Sequence, residues 1–492
     1  MTNNKRGGAN TDERLSLKGN GIILLELAFI SMMVMFVEIM LVPALPKIAQ
    51  EFPQDASWVS WILAAYMLVG AVATPLLGRL GDIYGKKRVM LIALSVYVAG
   101  LVGCSIAWSI PSLIGFRAVQ GIGMGMFPLA FGIIRDTFPR RLVPMAIGII
   151  SAMFSVGVSI GLLAGGYIVA VLSWRDCFYI VTPLLAIIGI VAFYTIKADH
   201  VRLKCGIDVV GAGTLGTSIF CLLFALTEGQ TWGWGDIKTL GFLAFFVAMF
   251  VTFVAWERRV KDPIVRLSLM ANPGVLGVNL TALFVGVAMF LMFQTLPFFL
   301  MTPKSLGGFA LADAFMVGLY MFPTAIGQLI FAPLAGKWSK RIGADNVLII
   351  GIVLLAVGYG MLIVMHGSAL DIALSMFVSG SGLGLCMVSF INVIAMTAPK
   401  NEFGIASGMN TLFRVVGGSI GPVIGAVIMA GFVVAWIPSP SVGPISMTTE
   451  TGYIWAWVAG LVASSAALVI AIVLRPGKGM DFEKAPDAES TI

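Results

Sequence analysis

The sequence predicts an all-α membrane protein with fourteen transmembrane helices, and three observations support this fold class. Of the 492 residues, 59% are hydrophobic and only 11% are charged, whereas roughly 25% of an ordinary soluble protein is charged. The mean hydropathy is +0.98. The chain also contains fourteen apolar runs of about the twenty residues that a spanning helix needs. This composition excludes a soluble enzyme, a disordered protein and a nucleic-acid binder.

The apolar runs follow one another at short intervals along the whole chain. Their approximate limits are 21–42, 57–77, 88–107, 111–134, 144–170, 177–196, 208–227, 238–256, 274–300, 312–334, 346–366, 370–397, 404–434 and 452–474. The first run follows a polar segment, is too long for a cleavable signal peptide and lacks a small-residue cleavage site. It is therefore expected to stay as the first membrane helix.

The distribution of basic residues predicts the orientation of these helices. If both termini are cytoplasmic, 25 of the 31 Lys and Arg residues lie inside and four outside, while Arg117 and Arg414 fall within spans. Cytoplasmic loops are the ones that carry excess Lys and Arg. We therefore expect a multi-pass protein of the plasma membrane with both termini in the cytoplasm, and the net charge of +7 is an insertion signal.

An internal repeat divides the chain. The segment GRLGDIYG at Gly78–Gly85 has a weak partner, GKWSKRIG, 258 residues later, and a GxGxG pattern at Gly121–Gly125 recurs 259 residues later. The repeat predicts an N-terminal six-helix bundle in 1–200 and a C-terminal one in 271–492, with two additional helices and linkers in 201–270. Since six is even, the halves share one orientation, as in secondary transporters whose substrate site lies between the halves.

The segment GRLGDIYGKKRVML between the second and third runs fills every principal position of a known pattern, G-x-L-a-D-r-x-G-r-k. With this motif the chain resembles the major facilitator superfamily, and within it the drug:proton antiporters with fourteen spans. The resemblance covers essentially the whole chain. It implies a gating motif that latches the cytoplasmic side, with its basic residues near Asp136 and its aspartate near a helix of the other half. The motif residues are Gly78, Asp82, Gly85, Lys86, Lys87 and Arg88.

A second motif, LIGFRAVQGIGMG, places a charge inside the fourth run. Arg117, Gly121 and Gly125 are four residues apart and share one helix face. A charge within a span is costly and is functional by default, and the resemblance implies that this arginine influences proton transfer. The alternative is a structural arginine that binds backbone carbonyls.

Two glycine-rich segments resemble the pattern that distinguishes exporters in this superfamily. The first is GVSIGLLAGG, where Leu162 replaces the proline of the pattern, and the second is GGSIGPVIG in the other half. The alternative is ordinary close packing of small residues. The residues concerned are Gly157, Gly161, Gly165, Gly166, Gly421, Pro422 and Gly425.

Proton coupling requires a carboxyl group within the membrane, and the candidates are Glu38, Glu26 and Asp136 together with Arg117. Glu38 lies in FVEIMLVPALPKI, one residue after the position of the acid in the family pattern. Glu26 and Glu38 are twelve residues apart, which places them about 120° apart on a helix. They cannot share one face. We expect Glu38 to be the protonation site, whereas Glu26 is expected to reach the cytoplasmic interface.

Polar and aromatic residues in the middle of the spans are candidates for a substrate cavity between the halves. Arg414 is four residues from Asn410, so both face the same way. The candidate cavity residues are Tyr66, Phe293, Gln294, Tyr320, Asn410 and Arg414.

These features predict a secondary active transporter, namely a proton-coupled antiporter that exports hydrophobic or cationic drugs by alternating access. Its expected partners are the substrate, protons and the lipid bilayer, with no nucleic acid, and it is expected to be a monomer without cofactors. A transporter of one lipid, peptide or metabolite, for export or uptake, stays an alternative. An enzyme is disfavoured because the two histidines, His200 and His366, lie in or near loops and the five cysteines lack metal spacing. A channel is disfavoured by the tandem repeat.

Overall fold

A computed structural model describes residues 6–52, 56–139, 143–196, 208–261, 263–311, 313–398, 403–436 and 445–474. The seventeen α-helices of this part of the chain are α1 (Arg6–Ile39), α2 (Leu45–Glu51), α3 (Ala56–Tyr84), α4 (Lys86–Ser105), α5 (Ile110–Gln120), α6 (Met126–Thr137), α7 (Val143–Val171), α8 (Trp174–Thr195), α9 (Val209–Trp232), α10 (Ile237–Glu257), α11 (Leu267–Met270), α12 (Pro273–Met301), α13 (Ala314–Ile342), α14 (Ala344–Val364), α15 (Ala369–Thr397), α16 (Phe403–Ala430) and α17 (Glu450–Val473).

The prediction of an all-helical membrane protein is confirmed. Within the described ranges, thirteen helical segments are long and apolar enough to cross a membrane, and α7 adds a shorter apolar stretch at Val156–Val171. Two predicted runs are not continuous α-helices. The first continues past α1 through a 3-10 turn, Val42–Ala44, into α2, and the fourth consists of α5 and α6 joined by the 3-10 turn Gly121–Gly125.

Glycine marks the same boundary in each half. Gly85 separates α3 from α4 with a φ angle of 98°, and Gly343 separates α13 from α14 with a φ angle of 87°. These two positions are 258 residues apart, the offset of the sequence repeat. Only glycine adopts such angles without strain, so the repeated glycine reflects a repeated turn between two membrane helices.

The two halves use equivalent packing. In the N-terminal half α7 lies against α1, and in the C-terminal half α16 lies against α12. The halves meet where α7 contacts α13 and where α3 contacts α16. The additional helices are peripheral: α9 is fixed to α3 by a hydrogen bond from Trp61 Nε1 to Thr227 Oγ1 (3.1 Å), and α10 packs on α9 with most of its apolar side chains exposed.

One element was not predicted from the sequence. Residues Val433–Trp436 (β1) and Ile445–Thr448 (β2) pair as an antiparallel hairpin between α16 and α17. The predicted thirteenth run, 404–434, extended over the first residues of β1. The helix instead ends at Ala430, before Gly431.

Candidate functional site

The buried carboxylate of Glu38 lies at the junction of the two halves. Its side chain, on α1, is 3% exposed, and its Oε2 atom has no hydrogen-bond partner among the described residues. Two guanidinium groups act electrostatically on it, Arg414 of α16 more strongly than Arg117 of α5. One arginine from each half therefore contributes positive charge at Glu38.

Arg117 is completely buried and is held by oxygen acceptors from three helices. Its Nε donates to the carbonyl oxygen of Ile62 on α3 (3.2 Å), and its two terminal nitrogens donate to those of Val37 (3.3 Å) and Glu38 (3.4 Å) on α1. A fourth bond, at 2.8 Å, reaches Oε1 of Gln120. Arg117 therefore binds the backbone of the helix that carries Glu38, as the structural alternative expected, and its charge also acts on the Glu38 carboxylate.

A polar second layer supports Arg117. The guanidinium carbon lies 4.5 Å from the centre of the Tyr66 ring, a cation–π contact that gains strength when water is excluded. Gln120 Nε2 donates to the Cys104 sulfur (3.2 Å). The hydroxyl of Tyr97, also fully buried, interacts electrostatically with both Tyr66 and Arg117. These contacts, together with its hydrogen bonds, hold the Arg117 side chain in place.

The C-terminal half contributes Arg414 and, one turn earlier on α16, Asn410. Asn410 Nδ2 donates to the carbonyl oxygen of Val278 (3.1 Å) and to Asn279 Oδ1 (3.2 Å), both on α12. Asn279 in turn donates to the sulfur of Met270 on α11 (3.4 Å). Asn410 therefore fastens α16 to α12 rather than lining an open cavity, whereas the partly buried Arg414 extends toward Glu38.

The other predicted cavity residues occupy separate places. Gln294 is completely buried on α12, and neither its amide nitrogen nor its amide oxygen has a hydrogen-bond partner among the described residues. Phe293 packs edge-on against Phe290 (5.9 Å between ring centres). Tyr320 packs against Phe309 (5.6 Å). Of the six candidates, Tyr66 and Arg414 interact electrostatically with Glu38, and Gln294 is a second polar position, without a hydrogen-bond partner among the described residues.

Glu26 does not belong to this cluster. It lies twelve residues before Glu38, a helical rise of about 18 Å. It is 3% exposed, and both carboxylate oxygens lie within 2.8 Å of the hydroxyl of Thr195, the last residue of α8; its position at the cytoplasmic interface stays a prediction.

The motif at Gly78–Arg88 forms an ion-pair cluster at the end of the bundle that is predicted to be cytoplasmic. Lys86 Nζ donates to Asp136 Oδ2 on α6 (2.5 Å) and lies 3.4 Å from Asp82 Oδ1. Lys87 Nζ donates to the carbonyl oxygen of Phe193 on α8 (2.6 Å). A Cβ at Gly78 would lie 3.9 Å from Pro128 on α6, while Arg88 is exposed. The cluster joins α3, α4, α6 and α8 within one half, and it places Asp136 far from Glu38.

The glycine motifs lie where helix backbones touch. Cβ atoms at Gly157 and Gly165 would overlap the carbonyl oxygens of Met32 and Met40, and a Cβ at Gly161 would lie 3.0 Å from that of Phe36. In the other half, a Cβ at Gly421 would overlap the Val287 carbonyl, and one at Gly425 would lie 3.0 Å from Thr295 Cγ2; Pro422 lies between them within α16.

Gly166 differs from the other glycines of its motif, because it contacts the opposite half. A Cβ at Gly166 would lie 2.7 Å from the Ala314 carbonyl of α13. One turn earlier, the carbonyl of Leu162 lies so close to Gly318 of α13 that a Cβ there would overlap it. The residue that replaces the proline of the family pattern is therefore part of the contact between the halves.

Sequence reasoning missed Gln120, Tyr97 and Asn279. Gln120 is three residues after Arg117 and thus on the same helix face, which is a signal that the sequence contained. Tyr97 and Asn279 carry no such signal, since their partners are distant in the chain. Among the described residues, no group of three or more His, Cys, Asp or Glu side chains could hold a metal ion.

An apolar groove of about 730 Å³ lies between α12, α16 and α17. Its walls carry no charged side chain. The residues that line it include Leu283, Val287, Ile424, Trp455, Val458 and Val462. Such a surface suits lipid chains.

Comparison with known proteins gives concordant matches over most of the chain. The family described as Major Facilitator Superfamily matches residues 27–422 and 280–490. The "Tetracenomycin C resistance and export protein" of Streptomyces glaucescens is 31% identical over 439 residues, 86% of this chain and 79% of that protein. "Multidrug resistance protein 3" of Bacillus subtilis is 30% identical over 371 residues, 74% of this chain and 71% of that protein.

A solved structure supports the same fold. The crystal structure of the human organic anion transporter MFSD10 (TETRAN) superposes with a TM-score of 0.59 at 17% sequence identity, covering 93% of this chain and 99% of that chain. At this identity the likeness concerns the fold alone.

Proposed function

This chain belongs to the Major Facilitator Superfamily, and from that premise we propose that it is a proton-coupled antiporter that exports hydrophobic or cationic drug-like compounds. It is a membrane transporter related to multidrug efflux proteins, not an enzyme. The observation that carries the proposal is Glu38, a buried carboxylate on which Arg117 of one half and Arg414 of the other both act electrostatically.

Protonation of Glu38 changes the attraction between the halves. The ionised carboxylate attracts Arg414, so it draws α1 toward α16 across the junction. A proton removes the negative charge and with it this attraction. Arg414 then loses its counter-charge, and a buried charge in a membrane needs a partner. Arg117 stays in place, since three backbone carbonyls hold it whatever the state of Glu38.

A cationic substrate competes with the proton for the same carboxylate. When the substrate lies beside ionised Glu38, it displaces Arg414; when a proton binds, the substrate loses its counter-ion and is released. Mutually exclusive binding of this kind is what exchange requires. The export direction is supported by the names of the relatives, which describe a resistance and export protein and a multidrug resistance protein.

The ion-pair cluster around Lys86 supports the gating role that its motif implies. Asp82 lies 3.4 Å from Lys86 of its own half, while the contacts at Gly166 and Gly318 join the halves at the opposite end. We propose that this arrangement is an inward-facing state with the latch released. The proposed orientation is that of the positive charges, with both termini cytoplasmic in the plasma membrane.

The test is proton-gradient-driven transport of ethidium, a fluorescent lipophilic cation, in proteoliposomes. Glu38→Gln keeps the size of the side chain and removes its charge, so transport is expected to fall to the level of empty liposomes. Glu26→Gln is the matched control, because Glu26 is an acid of the same helix that is bonded to Thr195 and lies away from the junction. It is expected to retain transport.

Two outcomes contradict the proposal. Unchanged proton-driven transport in Glu38→Gln, with folded protein verified by gel filtration, removes Glu38 from the coupling. Loss of transport in Glu26→Gln but not in Glu38→Gln would assign the coupling to Glu26 instead of Glu38.

A second candidate function, transport of one dedicated solute, is favoured by Gln294. Neither polar atom of its buried amide has a hydrogen-bond partner among the described residues, and a site built to hydrogen-bond a substrate discriminates strongly against analogues that lack the group. Competition experiments separate the two functions. If chemically unrelated cations inhibit one another's transport, the drug exporter is supported. If none of them inhibits the transport of another, the dedicated solute is supported.

A further inference from the structure

His366 is enclosed where three helices of the C-terminal half end. It lies two residues after the end of α14, and its ring centre is 5.7 Å from that of Phe299 on α12 and 5.4 Å from that of Trp457 on α17. The His366 side chain is 13% exposed. In the orientation that the basic residues predict, this site lies at the outer surface, remote from the Lys86 cluster.

Both ring nitrogens of His366 face oxygen atoms. Nδ1 lies 2.8 Å from the carbonyl oxygen of Leu362, and Nε2 lies 2.8 Å from Oε1 of Glu450 at the start of α17. A carbonyl oxygen only accepts hydrogen bonds, so Nδ1 carries a proton. In a neutral imidazole Nε2 would then be an acceptor facing a carboxylate, which is an acceptor too. The contact of 2.8 Å therefore requires a second proton.

We propose that His366 and Glu450 form a proton-binding site at the outer surface, separate from Glu38, whose second proton holds α14 and α17 together. The ligand is a proton from the outer medium. Glu450 gives it access, because its side chain is 46% exposed and the second proton lies between it and Nε2. When that proton leaves, two acceptors face each other and the contact opens.

On the neighbouring helices, the other described polar and charged side chains do not compete with His366 and Glu450 for the second proton. From α17, the Tyr453 hydroxyl lies 2.7 Å from the Thr302 hydroxyl. From α15, the Asp371 carboxylate accepts from the backbone nitrogen of Ser368. Lys304 is the charged residue of the turn before Gly307, whose backbone packs against Glu450. Within the described residues, neither Lys304 nor Asp371 makes an ion pair with His366 or Glu450.

The test uses the fact that the chain has only two histidines. In full-length protein with His200→Gln, His366 gives the single histidine signal in ¹⁵N NMR. We expect protons on both nitrogens at acidic pH and on Nδ1 alone at alkaline pH. In Glu450→Gln the side-chain amide can donate to a neutral Nε2, so in this background the contact is expected to persist with a proton on Nδ1 alone.

A second readout is thermal unfolding at pH 6 and pH 8. The unfolding temperature of the protein is expected to fall by roughly 2 °C between these values, and that of His366→Gln to change less. If the ring keeps one protonation state from pH 5 to pH 9 and the unfolding temperatures of the two proteins change alike, the proposal is overturned. If the ring stays neutral but the pH dependence of the unfolding temperature disappears in Glu450→Gln, the site is supported, with the second proton on Glu450.

Discussion

Arg117 combines two tasks that are usually assigned to different residues. Its four hydrogen bonds join α1, α3 and α5, and its charge acts on Glu38. The sequence revealed a charge within a span but not its acceptors, because Ile62 and Val37 are 55 and 80 residues away. The planar guanidinium presents five N–H donors in a fixed fork, which lets it donate to carbonyls of α1 and α3 and to Gln120 at once.

Arg117→Met is therefore expected to destabilise the protein as well as to impair transport. It leaves buried carbonyl oxygens without a donor, at a cost of about 1–3 kcal/mol each, so the free energy of unfolding should fall by about 3 kcal/mol or more. Denaturant-induced unfolding in detergent measures this. Arg88→Met, at an exposed position, is the control; equal destabilisation by the two substitutions contradicts the assignment.

Replacing Gln294 is expected to change stability in the opposite direction from replacing Arg117. Its amide is buried with no hydrogen-bond partner in the described part of the chain, so Gln294→Leu removes polar atoms that gain no hydrogen bond there. We expect unfolding to require the same or more denaturant while transport declines. Asn410→Leu is the comparison, because Asn410 has two partners and should lose stability. A destabilised Gln294→Leu would show that the amide is satisfied in the fold.

At the scale of the helix, close approach of backbones is the main feature of both halves. Gly157, Gly161 and Gly165 let α7 lie against the carbonyl oxygens of α1, and Gly417 and Gly421 do the same for α16 against α12. Backbones that touch over several turns move as one body. The pairs α1–α7 and α12–α16 are thus expected to move as units, with relative motion confined to the surfaces between the halves.

The packing predicts that a single methyl group at this contact is harmful. Gly165→Ala places a Cβ against the backbone of Met40, which cannot move alone, so both stability and transport are expected to decrease. Gly213→Ala on α9 has no atom within 4 Å and is expected to be neutral or to stabilise by up to about 1 kcal/mol. Thermal unfolding of both variants tests this; equal effects contradict it.

The helices could be predicted from the sequence because each is a long apolar run, whereas their interruptions could not. The 3-10 turn at Gly121–Gly125 lies within an unbroken apolar pattern, and β1 is only four residues long, too short for periodicity to identify.

For the site, Glu38 and Arg117 were predicted because charges within spans are conspicuous. The electrostatic interaction of Glu38 with Arg414, 376 positions away, depends on how the halves assemble.

At the scale of the whole molecule, α7 and α13 close one end of the junction. The Tyr167 and Phe315 rings meet edge-on at 5.9 Å, next to the contact between Gly166 and Ala314. Alternating access requires this end to open once in each cycle. A covalent link across it should therefore stop transport without unfolding the protein.

We predict that Tyr167→Cys with Phe315→Cys, joined by a short bifunctional thiol reagent, abolishes ethidium transport, and that a cleavable reagent restores it on reduction. The native cysteines at positions 104, 177, 221 and 386 are buried, and Cys205→Ser removes the fifth. Each single variant treated with the same reagent is the control. Continued transport by fully cross-linked protein would contradict a cycle in which these helices separate.

The fixed position of Arg117 has a consequence for the response to voltage. Because backbone carbonyls hold this charge in place, we expect the membrane field to do little work on it during transport; under the proposed coupling, the work is done on the proton at Glu38 and on the substrate. Each elementary charge that crosses the full field contributes about 2.3 kcal/mol per 100 mV. An exchange of two protons for one monovalent cation would therefore generate a current, whereas one-for-one exchange would be electrically silent, and recordings on a solid-supported membrane would distinguish them.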